Sequence, residues 1–527
     1  MKYALIGIAL LVSISVEAMS TDRLAEVNGY CFLQDQNDHS GSKVLFTAES
    51  PSAVTDSIYT NLDGSFSLGL DEGMYSISYS HEDFIPFSFP DLVEIFTELQ
   101  LPDVTLTGPG TLVSGNVSGY WGQDEDNYFV VGDVEVAIGD SLYIAPGTRV
   151  IFADDYDFIV RGYLEAVGTA VDSVVFTSAE LEPSPGDWGT LIFNRYSDWP
   201  PPYNDGAGLL KHCVIEYGST NLSIQGFPDS AEDLDIENSS IRFSSDKGIY
   251  LSGTNVRVID CLIQYCESEG VEIDWDATLT DSRIEHNSIG VKYNGSSVVS
   301  GNEILANESD GMVVEFLGST GAIEGNLING NGSSGIRVEN TSSSGIPIEN
   351  NWIANNLQGV VSHEGLRLYR NVIALNTYVA ISEYSNEESE ILFNTIYGCS
   401  TGVMVKGAMD RVMGNIIVSN GVGIESVSAG AQPDADYNEF WSNTVDFEGD
   451  QAPGIGEIVT TNANGDSCDT YFNIFLDPRF VDVSDFELLA DSPCIDAGNP
   501  DPEYHDPDGT IADIGAKPFF QGNPLPP

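Results

Sequence analysis

From Gly108 onward the chain alternates apolar and polar residues in short runs, with Gly and Asn between them, and no run keeps a helical period for three turns. Runs of period two are strands that bury one face. The apolar anchors Ile215, Ile241, Ile263, Ile284, Ile304, Ile328, Ile353, Ile373, Ile396, Ile417 and Phe440 recur at intervals of 20 to 26 residues. That interval is one coil of a β-solenoid, shorter than the roughly 33 residues or more of helical repeats.

Three columns accompany the anchors. Two positions before them stand Cys213, Ser239, Cys261, Ser282, Asn302, Asn326, Asn351, Asn371, Asn394, Asn415 and Asn438. Three positions after them stand Gly218, Ser244, Cys266, Asn287, Asn307, Asn331, Asn356, Asn376, Cys399, Asn420 and Asn443. Stacked coils lie about 4.8 Å apart, so each amide can bond the amide of the next coil and the turn backbone. Asn also tolerates the left-handed conformation of a corner. Both columns are therefore expected to be asparagine ladders. The third column, Gly248, Gly270, Gly290, Gly311, Gly335, Gly359, Gly402 and Gly423, opens a second strand in each coil. In Gly335-Ile336-Arg337-Val338 the alternation sends Ile336 and Val338 inward and Arg337 outward. The same rule places Glu272 and Lys292 outward on consecutive coils, where a pairing is expected.

Seven cysteines are present. Cys213, Cys261, Cys266 and Cys399 fall in the Asn columns and read as buried thiols. Cys213 and Cys261 stand two coils apart, roughly 10 Å, beyond disulfide reach. Cys468 and Cys494 remain the candidate bridged pair.

Residues 110–210 follow the solenoid less regularly, as a terminal repeat that caps a core must. Segments 130–138, 141–144, 148–152, 158–166, 173–176 and 190–193 alternate, and the insert 198–208, with three consecutive prolines, reads as a protruding loop. Residues 24–107 read instead as a small β-sandwich of about seven strands. Asp63-Gly64 is a turn pair there, although Asp63 taken alone is a candidate metal ligand.

The N-terminus changes the setting. Lys2, the apolar run 4–12 and the small-residue segment ending at Ala18 have the layout of a secretory signal peptide over 1–18. The run is shorter than the roughly 20 residues of a membrane span, and no later stretch qualifies, so no transmembrane segment is expected. Secretion or display at the cell surface follows. Charge narrows the partners: 81 Asp and Glu against 19 Lys and Arg give a net charge of −62. Such a surface repels nucleic acid and anionic membranes.

Two resemblances add to this. Asn61-Leu62-Asp63-Gly64-Ser65-Phe66 and Gly73-Met74-Tyr75-Ser76-Ile77 resemble the carboxypeptidase regulatory-like domain, a transthyretin-like sandwich that serves as an accessory without chemistry of its own. Beyond residue 110, four phrases resemble secreted bacterial right-handed parallel β-helix repeat proteins of the pectin-lyase-like fold. They are Ile144-Ala145-Pro146-Gly147-Thr148, Gly162-Tyr163-Leu164-Glu165-Ala166, Val175-Phe176-Thr177-Ser178 and Gly186-Asp187-Trp188-Gly189. The tail phrases around Asp477-Pro478, Ser492-Pro493-Cys494 and Asp513-Ile514-Gly515 are similar to the ends of such proteins. Many of them carry a C-terminal sorting domain, which is not legible before Pro527. The resemblance implies the fold, and leaves the activity open.

Polysaccharide lyases and glycoside hydrolases use this fold, so reactive groups matter. A lyase needs a cation and a base, and a glycosidase needs facing carboxylates. The densest polar patch is Glu267, Glu269, Glu272, Asp274, Asp276, Asp281, Arg283, Glu285 and His286. Glu272, Asp274, Glu285 and Arg283 are the catalytic candidates within it, and a solvated acidic face is the favoured alternative. His286 has no second His or Cys at ligand spacing and reads as structural or solvent-exposed. Asp496, Asp501, Asp506, Asp508 and Asp513 surround a Gly turn in a pattern that suits Ca²⁺, with a bare turn as the favoured alternative.

The resulting expectation is an all-β chain. A signal peptide over 1–18 and a sandwich over 24–107 precede a right-handed parallel β-helix over 108–475 and a C-terminal cap and tail over 476–527. Its expected role is non-catalytic, binding an extracellular polysaccharide or cell-surface glycan or serving as a structural component. A polysaccharide lyase or glycoside hydrolase is the alternative.

Overall fold

The structure, a computed structural model, describes residues 24–521 except 35, 51–54, 90–91, 123–126, 181, 196–205, 227–232, 253–254, 318–320, 340–347, 386, 407–409 and 431. The signal-peptide reading over 1–18 lies outside these residues. Two compact units divide the chain, Met1–Pro109 and Gly110–Pro527.

In the first unit, strand Ala25–Leu33 pairs antiparallel with Ser65–Leu70 and parallel with Leu99–Gln100 and Val104–Leu106. A second sheet sets Lys43–Ser50 between Thr55–Tyr59 and Gly73–Ser80. Period-two alternation turns Val27, Cys31, Phe46, Phe66, Ile77 and Tyr79 into one shared core. Asp63 is a turn residue: its carboxylate accepts from the Ser65 N–H at 3.0 Å and the Ser65 hydroxyl at 2.6 Å.

The second unit is a parallel β-helix. A regular coil supplies three strands, as in Leu262–Gln264, Glu269–Asp274 and Ala277–Thr280, which form its first, second and third faces. Each strand pairs in parallel with its counterpart one coil on: Ile263 with Ile284, Ile273 with Tyr293, Leu279 with Val299. Among the described residues the first two faces are hydrogen-bonded into one sheet of 28 strands, and the third is a sheet of 14. The anchors stack inside, the isoleucines with no exposed area and Phe440 with 1%.

Both asparagine columns are ladders. Along the first, the Asn302 side chain donates to Asn326 Oδ1 at 3.0 Å, Asn326 to Asn351 at 2.9 Å, and the chain of bonds runs on through Asn371, Asn394, Asn415 and Asn438. Asn473, which the spacing did not reveal, extends it by accepting from Asn438 at 3.1 Å. The second ladder runs from Asn287 to Asn376 and resumes from Asn420 to Asn443. One expectation is corrected. The left-handed residue is not the column Asn but the one before it: Asn350 (φ 57), Arg370 (φ 54), Phe393 (φ 55) and Tyr437 (φ 55) on the first corner. That residue turns its side chain outward, which leaves the following amide buried and aligned with the stack.

The glycine column follows from the ladder. A Cβ at Gly311 would stand 2.7 Å from both the Asn331 side-chain nitrogen and Ile328 Cγ2 of the next coil. Glycine makes room for anchor and ladder together.

At the entrance, Trp188 is fully buried, stacks on Phe152 at 4.0 Å and donates its indole N–H to Glu216 O at 2.8 Å. The 198–208 insert lies mostly outside the described residues, and its last two positions already belong to strand Ala207–Lys211. The C-terminal segment folds back over the outer side of the first face. Cys468, Ile474, Leu488, Cys494 and Ile514 pack on Ile416 and Val418, while Phe486 and Ala516 pack on Val372 and Ala374. All seven cysteines are free thiols and buried. The Cys468–Cys494 bridge is therefore corrected: Cys468 is held by backbone pairing to Ile474, and Cys494 hangs on the Ser492 hydroxyl through its N–H at 3.2 Å.

Candidate functional site

Strand Glu269–Asp274 on the second face points Val271 and Ile273 inward and Glu272 and Asp274 outward. Glu272 is nonetheless only 9% exposed, which corrects the expectation of a solvated carboxylate. Lysines from the coils on either side cover it. Lys292 Nζ lies 3.0 Å from Glu272 and 3.4 Å from Glu315, and Lys247 Nζ lies 3.5 Å from Glu272, 3.1 Å from Asp246 and 3.8 Å from Glu269. Partial burial works against the charge on Lys247, but the hydrogen bond and charge of Asp246, helped by Glu272 and Glu269, outweigh it and raise its pKa. For Lys292 burial is outweighed in the same way by Glu272 and Glu315, and its pKa is raised too. Lysines held protonated cannot take a proton, so neither is poised as a base.

Beside this cluster a polar row crosses three coils. The Tyr250 hydroxyl donates to Asp274 Oδ2 at 2.9 Å, and the Asn294 amide donates to Asp274 Oδ1 at 3.2 Å. At the corner that follows, Trp275 is 54% exposed with φ 109. Its N–H donates to Asn294 O at 2.9 Å, and its carbonyl accepts from the Ser297 hydroxyl. Gly295 (φ 130) permits this close approach, because a Cβ there would lie 2.9 Å from the Trp275 backbone. Together Asp274, Trp275, Asp276, Asn294, Gly295 and Ser296 line an open cleft of about 360 Å³. The sequence signal for this cleft, a lone Trp flanked by two Asp at a corner, did not stand out because it breaks no column.

Arg283 and Glu285 lie elsewhere, on the first face, paired at 2.7 Å, with Arg283 also 3.0 Å from Glu303. The four catalytic candidates are thus divided between two faces. His286 ends a stack of corner rings, Tyr217, Phe243, Tyr265 and His286, with centroids 5.3, 5.4 and 5.2 Å apart.

The C-terminal aspartates are engaged with the protein itself. Asp506 pairs with Arg370, Asp513 accepts from the N–H groups of Asp496 and Phe519, and Asp508 accepts from Thr510 and Gln521. Asp496 accepts from the Gln521 amide, and Asp501 caps the turn Pro502–Tyr504. The segment is a hydrogen-bonded cap. Among the described residues no group of three or more His, Cys, Asp and Glu is placed to hold a metal ion, and no helix is long and apolar enough to cross a membrane.

The profile described as "Right handed beta helix region" matches residues 227–367. That stretch lies within the parallel β-helix of the second unit. The profile described as "Periplasmic copper-binding protein (NosD)" matches residues 319–462. No curated protein matches the chain. Among solved structures, pectate lyase Pel9A is 14% identical, with a TM-score of 0.28 over 71% of this chain and 88% of its own. A mutant of the periplasmic alginate epimerase AlgG is 11% identical, with a TM-score of 0.28 over 62% of this chain and 76% of its own. The Agl-KA catalytic domain is 10% identical, with a TM-score of 0.27 over 80% and 83%. At these identities and TM-scores nothing about this chain is drawn from them.

Proposed function

We propose that the chain is an exported, non-catalytic β-helix protein that holds an extended glycan along the outer side of its second face. The observation that carries this reading is the row Tyr250–Asp274–Asn294 beside the exposed Trp275. Hydrogen-bonding groups repeat there at the coil spacing of about 4.8 Å, next to an aromatic face, as a polymer of hydroxylated rings requires. The neighbouring charges support binding over chemistry. Glu272 is held between two protonated lysines, and Arg283 neutralises Glu285.

A polysaccharide panel tests the reading. Retention of the protein in gels that contain polymer, with no release of reducing or unsaturated ends, is the expected result. Release of such ends establishes the enzymatic alternative, and failure to be retained by any polymer leaves a structural role. Export is tested separately: the mature protein should begin at Met19.

A further inference from the structure

We infer that the Trp275 cleft is a subsite for an uncharged sugar unit and discriminates against uronates. This rests on the glycan-binding reading above and deepens it by naming the ligand class.

The cleft wall has three kinds of group. Trp275 offers an indole that is 54% exposed at the turn into the third face. A flat aromatic surface packs against the C–H face of a pyranose ring and gains both area and contact energy. Asp274 and Asp276 are acceptors only, suited to the paired hydroxyls of a sugar. Asn294, whose amide already bonds Asp274, adds an amide to the lining, and Ser296 adds a hydroxyl. Tyr250 and Asn294 brace Asp274 at 2.9 and 3.2 Å, so its acceptor oxygens are oriented before any ligand arrives. The Trp275 backbone is braced as well, by Asn294 O and by the close approach that Gly295 allows. Such preorganisation reduces the ordering cost of binding.

Charge then selects the ligand. Among the described residues the lining contains two carboxylates and no cation. The nearest lysines on this face are engaged: Lys292 with Glu272 and Glu315, Lys247 with Asp246, Glu269 and Glu272. Arg257, one coil back on the third face, is held by both oxygens of Asp235 at 2.6 Å. A uronate carboxylate seated on Trp275 would meet Asp274 and Asp276 with no free cation among the described lining residues to compensate, on a chain of net charge −62. Repulsive groups of this kind confer specificity by penalising the wrong partner. An uncharged hexose or pentose unit meets no such penalty.

Affinity electrophoresis of the full chain in calcium-free buffer, against soluble neutral glucans, mannans and xylans and against polygalacturonate and alginate, tests this. The expected result is retention by at least one neutral polymer, little changed between low and high salt, with none by the polyuronates. Trp275→Ala should weaken retention at least about tenfold, and Trp275→Phe should recover part of it. The side chain is exposed, so an unchanged melting temperature in both variants will show that the fold is intact. Polyuronate retention equal to or stronger than neutral retention overturns the inference. So does neutral retention that Trp275→Ala leaves unchanged, although glycan binding itself then stands. Retention by no polymer overturns the broader reading along with this one.

Discussion

Arg370 and Asp506 are 136 residues apart in sequence, and their side chains meet at 2.7 Å beneath the C-terminal cap. Arg370 turns outward from the first corner because it is the left-handed residue before Asn371 (φ 54). Its guanidinium lies over Tyr369 and Phe393 at 5.4 and 5.7 Å. The other Asp506 oxygen accepts from the Asp513 N–H at 2.8 Å. Side-chain exposures of 8% and 2% make this a buried pair. Removing one partner leaves the other charge uncompensated, which costs roughly 3–5 kcal/mol. Arg370→Met should therefore loosen the cap by about that much, measured as early protease cleavage within 476–521 while the coils stay intact. An unchanged cleavage pattern would sink the assignment.

That pair also marks where sequence reasoning stops. The coils were legible because every coil repeats the same demands: an inward anchor, an amide at the corner, a glycine where the next coil presses close. The third face was not, because strands such as Val256–Ile259 bury only Val256 and Val258 and show no repeating marker. The folded-back cap left a trace that the columns hide. Earlier coils flank the anchor with charge, as in Arg283-Ile284-Glu285, whereas Val372-Ile373-Ala374 and Ile416-Ile417-Val418 are apolar throughout. A strand buried on both sides reads this way. What covers it cannot be read from spacing, since the covering residues belong to no repeat.

The ladders predict a graded response at Asn331. Its oxygen accepts from the Asn307 backbone at 3.0 Å and side chain at 2.9 Å, and its amide donates to Ile304 O at 3.2 Å and Asn356 Oδ1 at 3.0 Å. Asn331→Ala leaves buried groups unpaired on both neighbouring coils, each worth roughly 1–3 kcal/mol, so a loss of about 2–4 kcal/mol is expected in urea unfolding. Asn331→Cys should lose less. Cys266 and Cys399 already occupy this column, with their N–H groups bonded to Asn287 at 3.0 Å and Asn420 at 2.9 Å. Equal losses for Ala and Cys would contradict this account.

The thiols should be silent in the native protein. Burial pushes Cys213 and Cys261 up to about 12, and Cys266 and Cys399 up to about 11. A thiol reacts as its thiolate, so native protein should give almost no colour with Ellman's reagent at pH 8. Unfolding without reductant should release seven thiols. A total of five would reinstate a disulfide.

Glu439 predicts how stability depends on pH. It takes the place of Ile416 one coil on, is fully buried under the cap, and neither carboxyl oxygen has a hydrogen-bond partner among the described residues. Burial first, then the charges of Asp446 and Asp477, raise its pKa well above the usual carboxylate range. Burial likewise lifts Asp513 to about 7 and, with help from Asp434, Asp436 to about 6. The unfolded values lie near 4, so between about pH 4 and 7 the folded state binds more protons than the unfolded one. The stability these groups contribute is complete below about pH 4 and is lost as pH rises, through about 6 for Asp436 and about 7 for Asp513. Melting temperature should therefore rise as pH falls from 7.5 to 5. Repulsion across a chain of net charge −62 has the same sign, but salt screens it and does not reach a buried carboxylate. Glu439→Met separates the two causes. In high salt it should raise stability at pH 7.5 by roughly 1–3 kcal/mol and by less at pH 5. A variant that is less stable at pH 7.5, or that keeps the wild-type slope, removes Glu439 as a source of the pH dependence.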